Sequence, residues 1–135
     1  MDKLQQVVLL IGRGLLGLYF IVPGITKITG WDGTVEYMAA HDVPLIPFLL
    51  VLTIIIQIGG GFALLVGHRA QVMAGLLAGL TLIINLYMHD FWNVAEAVQQ
   101  AHETQNFIKN LAIMAGLLCV AGFSTTSRTP HASHG

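Results

Sequence analysis

Residues 45–66 read LIPFLLVLTIIIQIGGGFALLV, 22 positions without a charged side chain. Thr53 and Gln57 are their polar members. Crossing about 30 Å of hydrocarbon takes about 20 helical residues. The stretch does not alternate polar and apolar as a barrel strand does. A helix satisfies its own backbone hydrogen bonds in lipid, so 45–66 reads as a spanning helix.

Three more stretches follow the same logic. Residues 7–25 are apolar except for Arg13, and residues 70–88 carry no charge, with Gln71, Thr81 and Asn85 as polar members. Residues 111–123 are uncharged but too short to span. That helix must therefore begin at Phe107 or earlier and take Lys109 and Asn110 with it. The expected fold class is all-α, a bundle of four transmembrane helices at about 5–26, 45–66, 70–89 and 107–123, with short interfacial helices in the outer loops. Residues 1–123 form one membrane domain, and residues 124–135 read as a disordered polar tail. The first stretch has too long an apolar core for a signal peptide, and no small-x-small cleavage site follows it.

Composition supports this reading. The 135-residue chain is 55% hydrophobic and 10% charged, against about 25% charged in soluble domains, and its mean hydropathy is +0.73. A water-soluble enzyme, a nucleic-acid binder and a disordered chain are excluded; 6 basic and 7 acidic residues give no global pull toward phosphate.

Four crossings put both termini and the 67–70 turn on one side, with Lys3, Arg69 and Arg128; Lys27 and Lys109 lie opposite. That bias favours cytoplasmic termini. Asp32, Glu36, Asp42, Asp90, Glu96 and Glu103 all fall on the other side, though acids weigh little in the rule. On that side residues 34–41 read as a short helix ending before Asp42-Val43-Pro44. Residues 94–106 read as a surface helix or as the start of the fourth span. Trp31, Tyr37 and Trp92 suit an aromatic belt.

Most glycines lie inside the spans, among them Gly17, Gly24, Gly59, Gly60 and Gly61, and the small-xxx-small pair Gly75 and Gly79. They read as close-packing surfaces, because helices in lipid associate through backbone approach. Pro23 is expected to bend the first helix or mark its exit.

Arg13 lies ten positions after Lys3, about 15 Å along a helix, which places it near mid-bilayer. An arginine there costs roughly 2.5–3.5 kcal/mol on insertion scales and calls for an interior partner. Gln57, also mid-span, is expected to meet it at similar depth. A second polar set gathers near the outer surface: Asn85 and His89 at i, i+4, and Asn106 and Asn110 at i, i+4 with Lys109 beside them. Such a set suits a pocket that hydrogen-bonds the polar head of a lipophilic molecule, a quinone carbonyl among them. It equally suits interface anchors. Arg13, Gln57, Asn85, His89, Lys109 and Asn110 are thus the candidate cofactor-binding residues.

No HxxxH or HExxH spacing occurs, so no metal is expected at His41, His89 and His102. His131 and His134 fall in the tail. Cys119, the single cysteine, is expected to be buried in the fourth helix, and one thiol does no dithiol–disulfide chemistry.

Gly12-Arg13-Gly14-Leu15-Leu16-Gly17 with Phe20, Gly24 and Lys27, then Gln57-Ile58-Gly59-Gly60-Gly61, then His89-Asp90-Phe91-Trp92 and residues 105–112, resemble the DoxX family of small membrane proteins in order and spacing. The resemblance runs from about residue 7 to 123. It implies a four-helix protein of the bacterial inner membrane. The wider group includes the DoxD subunit of thiosulfate:quinone oxidoreductase, so a redox or quinone-linked role is implied by analogy. The family often carries an acid where this chain has Gln57, which bears against a buried ion pair with Arg13.

Three functional readings follow. The first is a quinone-linked component of a membrane oxidoreductase or respiratory system, with a lipophilic small molecule as partner. The second is a non-catalytic accessory or assembly subunit bound to other membrane subunits. The third is a small carrier or channel. All three place the chain among membrane lipids and away from nucleic acid.

Overall fold

The computed structural model describes residues 2–89 and 91–126. Its elements are α1 (Lys3–Thr29), α2 (Trp31–Ala40), α3 (Ile46–Val66), α4 (Ala70–Met88), a 3₁₀ turn at Phe91–Asn93 and α5 (Ala97–Thr126). No strand occurs among the described residues. α1, α3, α4 and α5 are each long and apolar enough to cross a membrane.

Local chemistry sets the element ends. Asp2 and Gln5 form a reciprocal capping box that satisfies the first amides of α1. Gly67 closes α3 in the left-handed region at φ 83°, where glycine pays no Cβ penalty. Arg69, also left-handed, starts α4 at once. The short link Gly67-His68-Arg69 makes α3 and α4 an antiparallel hairpin. Below, "hairpin end" means this end of the bundle, and "loop end" the end bearing α2 and the 3₁₀ turn.

α1 packs chiefly on α3, and α4 on α5. The first pair approaches through glycine. A Cβ on Gly17 would lie 2.5 Å from the Gly61 carbonyl oxygen, and one on Gly61 would lie 2.7 Å from that of Gly17. Ile58 fills the space over Gly24. Between the pairs, Phe20, Leu64, Leu77, Leu117 and Val120 form a core with Ala70, Ala74 and Ala78. Outward residues such as Leu15, Val22, Ile55 and Leu118 remain exposed, as lipid-facing positions do.

Several expectations are corrected. The fourth span begins earlier than residue 107: α5 starts at Ala97, so of the two readings left open for residues 94–106 the start of the fourth span holds for 97–106. No Gly or Pro interrupts this stretch, and buried Glu103 and Asn110 share one face with it. α5 also continues to Thr126, three residues into the expected tail; residues 127–135, with Arg128, His131 and His134, lie outside the described residues, as does Asp90. α1 runs through Pro23 for six further residues, and α2 starts at Trp31. Cys119 is exposed, not buried, because Leu117 and Val120 take the inward positions of that turn. Gly75 and Gly79 pack on nothing: no atom lies within 4 Å of where their Cβ atoms would stand, and the same holds for Gly12 and Gly59.

Candidate functional site

All four spanning helices wall a polar cavity of about 180 Å³ toward the loop end. α1 supplies Tyr19, Phe20, Pro23 and Lys27. α3 supplies Gln57, and α4 Thr81 and Ile84. His89 closes it just after α4, and α5 adds Asn106, Lys109 and Asn110.

Most of the polar groups here are already paired. Tyr19 donates its hydroxyl to Asn110 Oδ1 at 3.1 Å, and Asn110 Nδ2 donates to Asn85 Oδ1 at 3.3 Å. Asn85 Nδ2 donates in turn to the Phe107 carbonyl at 3.2 Å. This chain joins α1, α5 and α4, and Asn85 at its centre is fully buried. Thr81 returns its hydroxyl to the Leu77 carbonyl at 2.7 Å. Gln57 is the exception. Its residue is 4% exposed, and its Oε1 has no hydrogen-bond partner. A buried acceptor left unsatisfied costs about 1–3 kcal/mol.

A second network stands at the loop end. Glu103 is 2% exposed on α5. Three groups converge on its carboxyl: the Tyr37 hydroxyl at 3.1 Å, His89 Nδ1 at 3.4 Å and Asn106 Nδ2 at 3.2 Å. Tyr37 also faces the Met88 carbonyl at 3.3 Å and stacks on His41, which ties α2 over the bundle. With Nδ1 turned to Glu103, the His89 ring is held in orientation at the cavity it lines.

Four expected residues therefore share one cavity: Gln57, His89, Lys109 and Asn110. Asn85 stands directly behind Asn110. Arg13 is not with them. Its Nε donates to the Leu64 carbonyl at 2.9 Å, and its guanidinium lies over Gly67. It caps the C-terminal end of α3, where free carbonyls and the helix dipole favour a cation. Gln57 instead touches the level of Gly24, eleven residues further along α1, about 16 Å away. The expected meeting of Arg13 and Gln57 is thus overturned, and so is the mid-bilayer depth of Arg13. The cause is the antiparallel register of α1 on α3, which sets Arg13 level with the hairpin turn.

Sequence reasoning placed Asn106 in the expected polar set, and it lines the cavity, but it missed Glu103, Tyr19 and Lys27 as members of the site. The spacing was available: Glu103, Asn106 and Asn110 fall at i, i+3, i+7 on α5, and Tyr19, Pro23 and Lys27 at i, i+4, i+8 on α1.

Comparison with known proteins gives a consistent picture. The family model DoxX matches residues 8–90. The chain is 40% identical to "Inner membrane protein YqjF" of Escherichia coli K12, over 90% of this chain and 87% of that protein. It is 30% identical to "Inner membrane protein YphA" of the same organism, over 87% of this chain and 83% of that protein. It is 29% identical to "Putative oxidoreductase CatD" of Bacillus subtilis 168, over 62% of this chain and 60% of that protein. No solved structure matches.

Proposed function

The chain belongs to the DoxX family and is a multi-pass inner membrane protein, and from that premise we propose that it binds the head group of a membrane quinone as a component of a membrane oxidoreductase. The observation that carries the reading is a polar cavity inside the bundle lined by Gln57, a residue whose buried Oε1 has no hydrogen-bond partner. About 150 Å³ of cavity holds one benzene ring, so about 180 Å³ suits a single substituted six-membered ring.

The lining matches what such a head group demands. A quinone presents carbonyl acceptors, and its reduced form presents hydroxyl donors. A glutamine amide serves both, because it carries an acceptor oxygen and a donor nitrogen; a carboxylate would serve the donor alone. Lys27 and Lys109 place cationic donors at the cavity wall, and His89 adds a ring nitrogen. The redox chemistry belongs to the quinone; the protein's part is to bind, orient and exchange protons. The name of the Bacillus relative supports a redox setting. Cytoplasmic termini, favoured by the loop charges, would put His89 and Glu103 toward the outer face.

The test is a binding measurement on purified protein in detergent, by calorimetry, with a tail-free dimethoxy-methyl-benzoquinone as probe. Saturable 1:1 binding is expected, weakened at least about tenfold by Gln57→Leu, the loss of one buried polar contact. Absence of binding to the unaltered protein, or equal binding by Gln57→Leu, overturns the reading.

A further inference from the structure

Two cations at the polar cavity have no counter-ion. Lys27 on α1 and Lys109 on α5 both line it, and among the described residues neither makes an ion pair or a hydrogen bond. Lys27 is half-buried. A cation inside a membrane bundle ordinarily pairs with an acid or with backbone carbonyls, as Arg13 does with Leu64 at the hairpin end. The two lysines do neither.

The chain has placed its own acid elsewhere. No carboxylate lines the cavity among the described residues. The Glu103 carboxyl is already met by Tyr37, His89 and Asn106. The other titratable groups of the wall are engaged as well: Tyr19 gives its hydroxyl to Asn110, and His89 faces Glu103. α3 contributes Gln57, an amide with donor hydrogens and no charge of its own. The wall thus holds two amino groups against no carboxylate. The rest of it is apolar, from Phe20, Pro23, Ile84 and the ring of Tyr19.

Resting on the head-group reading above, we propose that the cavity selects a ring bearing a negative charge: a hydroxy-substituted quinone, a vinylogous acid ionised at neutral pH, bound as its anion in preference to a neutral quinone. The ring buries apolar surface against the apolar part of the wall, and the ionised oxygen supplies the charge that Lys27 and Lys109 lack. A phosphate, free or on a lipid, has no apolar surface to lay against Phe20 and Ile84. Opposite charges within about 4–6 Å favour the ionised form of a bound acid by about tenfold or more.

The experiment uses 4-nitrophenol, a single-ring acid that ionises near neutral pH and whose anion is read by its absorbance. The full chain in a neutral detergent is titrated with it across pH, beside protein-free micelles. The bound probe is expected to ionise at least about one pH unit lower than in empty micelles, a tenfold preference for the anion. Lys27→Met and Lys109→Met are each expected to remove at least about half of that lowering, and the double variant all of it. Lys109 occupies an exposed position, so its replacement leaves the packing intact should Lys27→Met fail to fold. Failure of the unaltered protein to bind the neutral tail-free benzoquinone strikes the head-group reading itself. Normal binding of that quinone with no lowering for 4-nitrophenol, or a lowering that survives the double variant, overturns the anion proposal alone. A lowering seen only after Asp90→Asn overturns it too, since an acid of the chain then serves the lysines. Release of the bound anion by equimolar phosphatidylglycerol overturns it in favour of a lipid phosphate.

Discussion

Gly59 and Gly61 are two residues apart on the same apolar helix, yet alanine at each is expected to move stability in opposite directions. A Cβ on Gly61 would stand 2.7 Å from the Gly17 carbonyl oxygen and 2.8 Å from Ile21 Cγ1. Ordinary contact begins near 3.5 Å, so α1 and α3 must part by about 0.7 Å to admit one methyl group. A gap of that size forfeits about a quarter to a half of each dispersion contact across the interface, and overpacking of this kind costs about 1–3 kcal/mol. Alanine in place of a helical glycine returns up to about 1 kcal/mol. With the full gain set against that cost, Gly61→Ala should therefore lose about 0–2 kcal/mol. Gly59→Ala meets nothing within 4 Å and should keep the whole propensity gain. The assay is thermal unfolding in a mild detergent, followed by recovery of the monodisperse peak on size exclusion. The two variants should separate by several degrees, with Gly59→Ala above the unaltered protein and Gly61→Ala below it. Equal midpoints would refute the claim that α1 and α3 meet backbone to backbone.

Two further outcomes separate scaffold from site. Arg13→Ala removes the cap on α3 and should cost about 1–2 kcal/mol of stability, the range for a charged hydrogen bond at a helix terminus; quinone affinity measured by calorimetry should stay within twofold, because Arg13 is level with the hairpin turn and not with the cavity. Glu103→Gln keeps one acceptor oxygen but sets its amide nitrogen against either the Tyr37 hydroxyl or the His89 and Asn106 nitrogens, so it should lower thermal stability by about 1–3 kcal/mol and also weaken quinone binding several-fold, through the loss of the charge that orients His89.

The spanning helices were legible because hydrophobic run length is a local property. Residues 45–66 anticipate α3 to within one residue, and the hairpin follows from the brevity of residues 67–69. The polar set on α4 and α5 was legible for a similar reason: Asn85, His89, Asn106 and Asn110 repeat at helical spacing. Depth was not. Arg13 and Gln57 were both counted from their own helix ends, but depth in the bundle depends on how far one helix slides along its neighbour. That offset is set by where glycines allow contact, and Gly17 on Gly61 pushes the first three turns of α1 past the end of α3. Glu103 escaped notice because charge suggests a loop. Its burial rests on Tyr37, His89 and Asn106, which come from three separate segments.

Placement of charge and placement of glycine together explain why a polar cavity forms toward the loop end. At the hairpin end the guanidinium of Arg13 gives its Nε to a carbonyl of α3. In the middle, glycines draw α1 tightly onto α3, while α4 packs on α5. The bundle is thus two close pairs with a looser seam between them. On its inward face α4 closes the seam, since Leu77 fits over Gly60. On another face of the same turns Gly75 and Gly79 leave α4 without bulk and line a cleft of about 910 Å³ beside α3. An acid at position 57 would have placed charge at the wall of the polar cavity and demanded a cation beside it. Glutamine adds no charge to that wall, and the carboxyl stands instead on α5, beside His89. The outcome is a neutral amide set among the amino groups of Lys27 and Lys109, with the Glu103–His89 pair next to the cavity that His89 lines.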